Sequence, residues 1–185
     1  SFRFVLPGYN VRPLEMSGAI GIEQLKKLRN LVISRQNGAK KLTEGLAGLV
    51  GLKTPRVQVG CTHAYYVYPM QLDVAQLGVS RASIVAALEA EGLLGLMSGY
   101  ANLHLLPMYQ HKQAYGSNGF PWSSDICRRD VSYVRGICPV AERLHESTFL
   151  GYEMCLFKLG EAEIDLLIRA FKKVWSSLEE LRGKS

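Results

Sequence analysis

The chain has 185 residues, of which 48% are hydrophobic, and it carries a formal net charge of +6. This size allows one well-buried core, so we expect one domain, or one domain with an appendage. No run of 18 or more apolar residues and no basic segment before an apolar run is present, so the sequence predicts neither a membrane span nor a secretory signal. Four widely spaced cysteines without a C-x-x-C pair are typical of a reduced protein, and we expect a cytoplasmic location.

The positive charge is concentrated in residues 1–53, which hold nine Lys or Arg residues and three acids, whereas the remainder is balanced. Such a segment can attract nucleic acid or an acidic partner. Its basic residues are spread around a predicted helix with few aromatic neighbours, which favours a solvated helix face instead. We therefore predict no nucleic-acid partner, and the four histidines show no metal-binding spacing, so we predict no metal site.

The first predicted element is a helix from Leu14 to about Leu49, which is long for a globular protein. Its apolar stripe comprises Ala19, Ile22, Leu25, Leu28, Val32 and Leu46. The length predicts a kink or break near Arg29–Asn30 or Gly38, and a glycine-rich stretch from Gly45 to Gly51 ends the helix.

The remaining predicted elements alternate in type. They are strands at 56–59 and 64–72, a helix from the N-cap Ser80 to about Glu91, a strand at 93–97, an irregular stretch at 98–137, a short helix from Pro139, a strand at 151–156 and a C-terminal helix from Glu161. In that last helix an i, i+3, i+4 apolar stripe runs from Ile164 to Leu181 without a break. This order predicts an α+β fold, in which helices pack on one face of a small, largely antiparallel sheet.

The segment that opens the chain combines Gly, Pro and two donor side chains directly before the long helix. Asn10 and Arg12 precede the helix N-terminus, where donor groups and the helix dipole favour an anion such as phosphate or a carboxylate. A loop that simply caps the helix is the alternative.

The run GYNVRPLEMSGAIGIEQLKKL at residues 8–28 resembles the DegT/StrS family of nucleotide-sugar aminotransferases, which depend on pyridoxal phosphate (PLP). In that family a Gly-Tyr-Asn-x-Arg loop precedes a helix with the same Glu, Ala, Gly and Gln-Leu positions. Further matches follow in the family's order, namely AYYVYP at 64–69, LHLLPMY at 103–109 and CPVAERL at 138–144. The resemblance covers nearly the whole chain but only the C-terminal half of a family member.

The resemblance implies a linker loop with a long interdomain or dimerisation helix at 1–50, followed at 51–185 by the small C-terminal domain of a fold-type I PLP aminotransferase. The implied reaction transfers an amino group from an amino acid such as glutamate to a keto-sugar nucleotide, in the biosynthesis of surface polysaccharides or deoxyaminosugars. Two alternatives are a deoxysugar dehydratase of the same family, which uses PLP or its amine form, and a non-catalytic dimerising fragment. PLP would be bound mainly by the missing N-terminal domain.

The resemblance also implies site residues. Asn10 matches the Asn that reaches across a homodimer interface to the cofactor phosphate, and Arg12 matches the Arg beside it. Tyr66 stands where many members carry a His near the sugar or nucleotide, and it has packing in an aromatic strand as its alternative role. His104 would line the mouth of the active site or serve as a structural histidine.

No segment resembles the surroundings of the internal aldimine lysine, so we expect no catalytic residue in this chain and no activity from it alone. The loop around Phe120 and Trp122 is either a lid over the substrate or a packing anchor.

Overall fold

The structure is a computed structural model, and it describes residues 14–116, 118–125, 127 and 129–182. Within these residues, seven helices and four strands pack together, and the first part of the long first helix extends from them. The helices are α1 (Glu15–Gly45), α2 (Val74–Leu77), α3 (Arg81–Ala90), α4 (Pro107–Gln110), α5 (Pro139–Arg143), α6 (Glu161–Ser176) and α7 (Leu178–Arg182). The strands are β1 (Leu52–Lys53), β2 (Tyr68–Leu72), β3 (Leu96–Met97) and β4 (Phe149–Tyr152). A 3₁₀ turn at Leu103–Leu105 precedes α4, and a π-helical turn at Leu144–Thr148 follows α5.

The four strands form one sheet in the order β1-β2-β4-β3, with every neighbouring pair antiparallel. Along β2 the buried residues alternate, because Tyr68, Met70 and Leu72 face the core whereas Gln71 is exposed. This alternation is typical of a sheet with one face in the core. The mixed α+β class with a small antiparallel sheet is thus confirmed.

The core lies between this sheet and the helices α1, α3 and α6. Helix α6 supplies its largest share, since Ile164, Leu167, Ile168, Phe171 and Val174 are all buried at helical spacing. At its start the Glu163 carboxylate accepts the Gly160 N–H at 2.9 Å, which is the N3-to-N-cap half of a capping box. The predicted stripe is correct in α6, but the predicted single helix is wrong beyond Ser176, because a separate short helix begins at Leu178.

Helix α1 is one uninterrupted helix of 31 residues, so the break predicted near Arg29–Asn30 or Gly38 is wrong. A Cβ placed on Gly38 would lie 3.4 Å from both Ile164 and Met154, an ordinary van der Waals distance, so this glycine marks where α1 begins to pack on the core. Glycine in a helix costs at most about 1 kcal/mol relative to alanine, which is too little to break this long helix. The helix ends at Gly45, as the glycine-rich stretch predicts.

The strand predicted at 56–59 is also wrong. Val57 and Val59 are exposed, and residues 54–67 have no regular secondary structure. A β-branched run becomes a strand only where a partner strand and a buried face exist, and here β2 is already paired on both sides, with β1 and β4. The strands predicted at 93–97 and 151–156 exist but are shorter or shifted, as β3 and β4.

Candidate functional site

The first part of helix α1 projects from the core as an arm, which we define as residues 14–34. Every residue of the arm is exposed or half-exposed, whereas Ala39, Leu42 and Leu46 further along the helix are buried. With a rise of about 1.5 Å per residue, the whole helix is about 46 Å long. The structure therefore carries the start of α1 far from the core of its own domain.

The arm is apolar as well as exposed. Its large hydrophobic side chains are 44% to 74% exposed, namely Leu14, Met16, Ile20, Ile22, Leu25, Leu28, Leu31 and Ile33. Eight such side chains on one segment exceed the scattered apolar residues of an ordinary protein surface. The predicted stripe is thus helical, but within this chain most of it is not buried.

Asn10 and Arg12, the predicted cofactor-binding residues, lie outside the described residues. The helix start that follows them is described. Its N-cap residue Leu14 provides no side-chain hydrogen bond to the first backbone N–H groups of α1, which have no partner within the helix itself. Amide, guanidinium and helix N–H donors together suit a phosphate, so the donor set of this segment fits the phosphate of PLP.

Tyr66 lies just before β2 and its side chain is 62% exposed, so it is free to contact a ligand. Its neighbours face the other way. Tyr65 is 8% exposed and Tyr68 is fully buried, with their rings nearly parallel and 6.1 Å apart. The aromatic segment therefore packs through Tyr65 and Tyr68 and presents Tyr66 at the surface.

His104 is held in a buried polar cluster. Its Nε2 atom donates to the carboxylate of Glu142 at 2.8 Å, and both side chains are about nine-tenths buried. The same carboxylate accepts the backbone N–H groups of Gly136, at 2.8 and 2.9 Å, and of Cys138, at 3.3 Å. Glu142 thus closes the base of the irregular stretch by joining its beginning to its end.

These donors decide the protonation of Glu142. Burial of the carboxyl raises its pKa, but the hydrogen bonds from Gly136, His104 and Cys138 outweigh that effect and hold the pKa of Glu142 below its usual value. The residue is therefore an ionised anchor. Sequence reasoning missed it, although a Glu in the Pro-x-Ala-Glu segment before a buried strand was a visible signal.

The stretch between these anchors is ordered by an aromatic cluster. The Trp122 ring meets Tyr109 and Tyr133 edge-on at 6.1 and 6.2 Å, and its Nε1–H donates to the Tyr133 hydroxyl at 3.0 Å. Trp122 therefore serves as a packing anchor. Phe120 is 42% exposed, with its ring 6.0 Å from that of Tyr115.

The surroundings of the lysines decide whether one of them could react with a carbonyl group. Among the residues that the structure describes, every lysine is exposed or half-exposed, and Lys41 and Lys112 form ion pairs with Asp165 and Asp130. None of them lies in the desolvated pocket that a lysine needs to react with a carbonyl at neutral pH. The described ranges also contain no group of three or more potential metal ligands and no helix long and apolar enough to span a membrane.

Comparison with known proteins resolves the family. The model of the DegT/DnrJ/EryC1/StrS aminotransferase family matches residues 2–136. The chain belongs to this family. The DegT family contains PLP-dependent sugar aminotransferases and dehydratases.

Two curated relatives match this chain over segments of different length. The spore coat polysaccharide biosynthesis protein SpsC of Bacillus subtilis is 29% identical over 126 residues, which are 68% of this chain and 32% of SpsC. The GDP-4-keto-6-deoxy-D-mannose 3-dehydratase of Escherichia coli O55:H7 is 72% identical over 40 residues, which are 22% of this chain and 10% of the dehydratase.

The fold is similar to a solved structure of the family. The aminotransferase TlmJ from Streptoalloteichus hindustanus superposes with a TM-score of 0.60 at 24% identity, covering 86% of this chain and 36% of TlmJ. SpsC and TlmJ match most of this chain, but the chain spans only about a third of the length of each of them. This agrees with a partial, C-terminal piece of the family fold.

Proposed function

We propose that this chain is the C-terminal part of a PLP-dependent enzyme that transfers an amino group from an amino acid such as glutamate to a keto-sugar nucleotide. Membership of the DegT family is the observation that carries the proposal. When bound, PLP supplies the electron sink for such chemistry, so the protein's task is to bind and orient the cofactor and substrate. SpsC is named for polysaccharide biosynthesis, and we extend that role to this chain.

We assign Asn10 and Arg12 to the cofactor phosphate. The Asn10 amide N–H and the Arg12 guanidinium would donate to phosphate oxygens, together with backbone N–H groups at the start of α1. The lysine that binds the cofactor would come from the part of the family fold that precedes this chain.

The geometry of α1 supports a homodimer in which this phosphate contact is made to the other subunit. Glu15 lies 24 residues before Ala39, the first buried residue of α1, which corresponds to about 36 Å of helix. The start of α1, which follows Asn10 and Arg12 in the sequence, is thus carried away from the core of its own chain, where a second subunit can meet it.

The exposed arm supports the same arrangement. An apolar helix of this length is not stable in water without a partner for its hydrophobic face. In the proposed enzyme, the preceding part of the polypeptide and the second subunit cover the arm. We propose, as the sequence predicts, a cytoplasmic enzyme without nucleic-acid or membrane partners.

A second candidate function is dehydration of a keto-deoxysugar nucleotide. It is favoured by the 40-residue segment that is 72% identical to the GDP-4-keto-6-deoxy-D-mannose 3-dehydratase. Both reactions use the same cofactor, and the group that separates them would lie before this chain.

The test uses a complete polypeptide that contains this chain and the preceding part of the family fold. It is incubated with PLP, ¹⁵N-glutamate and GDP-4-keto-6-deoxy-D-mannose, and the sugar nucleotide is analysed by mass spectrometry. Incorporation of ¹⁵N into the sugar supports amino transfer, whereas loss of a hydroxyl oxygen without ¹⁵N supports the dehydratase. If the same two readouts stay blank with a dTDP-linked keto-sugar as well, the proposal is wrong.

A further inference from the structure

Tyr65 has a backbone conformation that tyrosine rarely adopts. Its φ is +49°, in the left-handed region where a side chain crowds its own backbone, yet the residue is 8% exposed and belongs to the core. Residues in such conformations persist only where their surroundings enforce them, and they are concentrated at functional sites. The conformation of Tyr65 therefore indicates that neighbouring groups hold the turn and that the turn has a role in the protein.

The turn at Tyr65 changes which side chains of the aromatic segment face the core. In an extended strand successive side chains point to opposite faces, so residues three apart, such as Tyr65 and Tyr68, would face opposite ways. Here both are buried, and their rings lie 6.1 Å apart. The left-handed residue resets the alternation, and as a result Tyr66 is turned outward.

His63 enforces the turn. Its Nδ1 atom accepts the Tyr65 backbone N–H at 2.8 Å, the same i to i+2 hydrogen bond that an Asn or Asp side chain makes in an Asx-turn. Its ring also lies against the Tyr65 ring, with a centroid distance of 4.3 Å. The His63 carbonyl accepts the Gln36 side-chain amide at 3.2 Å, which fixes the turn to helix α1.

We propose that His63 is a positioning residue, which locks the left-handed turn at Tyr65 and thereby holds Tyr66 outward as a contact for the bound sugar nucleotide. This inference rests on the proposed function. The imidazole does not touch the ligand in this scheme. It acts through the turn, and Tyr66 is the side chain that meets the ligand.

The binding test uses the complete enzyme with GDP and dTDP as probes in isothermal titration calorimetry. Tyr66→Ala should weaken binding of the preferred nucleotide by about tenfold, the scale of one lost polar or aromatic contact. His63→Phe keeps an aromatic ring beside Tyr65 but removes the acceptor, and it should cause a similar loss. His63→Asn is the matched control, because its Oδ1 can accept the same N–H, and it should restore most of the affinity.

The double variant His63→Phe/Tyr66→Ala decides whether His63 acts through Tyr66. The proposal expects it to bind no more weakly than Tyr66→Ala alone, because the two residues form one device. Additive losses, or unchanged affinity in Tyr66→Ala, would overturn the proposal.

Hydrogen–deuterium exchange of the same variants gives a readout that needs no ligand. The segment around residues 63–68 should exchange faster in His63→Phe but not in His63→Asn. Equal protection in both would overturn the role of His63 even if the nucleotides bind. Absence of binding by the unmodified enzyme would instead refute the proposed function and the ligand role of Tyr66, while the exchange result would still decide whether His63 locks the turn.

Discussion

The packing of α1 against α6 sets the direction of the arm, and a single methyl group tests it. A Cβ placed on Gly45 would lie 2.3 Å from Cδ1, 2.7 Å from Cγ1 and 3.0 Å from Cγ2 of Ile168. Ile168 is 9% exposed, and a β-branched side chain in a helix has essentially one rotamer, so it cannot move aside freely. Gly45→Ala should therefore destabilise the chain.

The magnitude follows from two opposing terms. Overpacking of this kind costs about 1–3 kcal/mol, whereas replacing a helical Gly by Ala gains at most about 1 kcal/mol. The free energy of unfolding should fall by about 1 kcal/mol, which lowers the Tm by about 2–4 °C for a chain of this size. Gly21→Ala is the matched control, because its Cβ would meet nothing within 4 Å and the residue lies in the exposed arm, so it should not lower the Tm.

The assay is thermal and urea unfolding of the 185-residue chain, followed by circular dichroism. Adding Ile168→Val removes the Cδ1 atom that the new methyl group would meet, so the double variant should lose less stability than the sum of the single changes. A Gly45→Ala variant that is as stable as Gly21→Ala would refute the close packing of α1 on α6.

Three further predictions concern the polar groups and the cofactor. Because the pKa of Glu142 is lowered, its ionised form stabilises the fold above about pH 4.5, and this stabilisation is lost as the pH falls through the lowered pKa. Acid unfolding of Glu142→Gln should lack this pH-dependent loss of stability. Burial raises the pKa of Tyr68 to about 12, so the stability that its neutral phenol contributes is present below pH 10 and is lost as the pH rises toward 12. Tyr68→Phe should remove a phenol that ionises near pH 12 from an ultraviolet titration. PLP added to the 185-residue chain should give no stable yellow adduct; an adduct abolished by replacing one lysine would contradict the absence of a cofactor-binding lysine.

The helices were predictable because the apolar residues that form the buried face of a helix recur at a fixed spacing within one short segment. The stripe from Ile164 to Val174 and the N-cap at Ser80, whose Oγ accepts the Ser83 N–H at 3.1 Å, needed no knowledge of distant residues. Strands were harder, because pairing is decided elsewhere in the chain. Val57 and Val59 have the residue type of a strand and no partner, whereas Leu52 forms one because it pairs with Leu72.

The candidate site, like the fold, was predictable from the sequence only in part. The motif at residues 8–28 identified the family, which the family model confirms. The roles of Asn10, Arg12, Tyr66 and His104 stay predictions. The contacts that position Tyr66 and His104 could not be read from the sequence, since Glu142 lies 38 residues from His104 and the acceptor role of His63 depends on one backbone angle at Tyr65.

We propose that Asn10 of one subunit binds the phosphate of the cofactor held by the other subunit. The direct test is PLP binding, measured by equilibrium dialysis, in mixed dimers of the complete enzyme. One subunit carries Asn10→Ala, and the other lacks the cofactor-binding lysine that precedes this chain. Asn10→Ala alone should bind PLP about ten- to hundredfold more weakly, as expected for a lost hydrogen bond to a charged group.

In the mixed dimer, the subunit with Asn10→Ala keeps its own lysine and receives Asn10 from its partner. The account predicts that half of the sites recover the affinity of the unmodified enzyme. No recovery in purified mixed dimers, or unchanged affinity in Asn10→Ala alone, would contradict it.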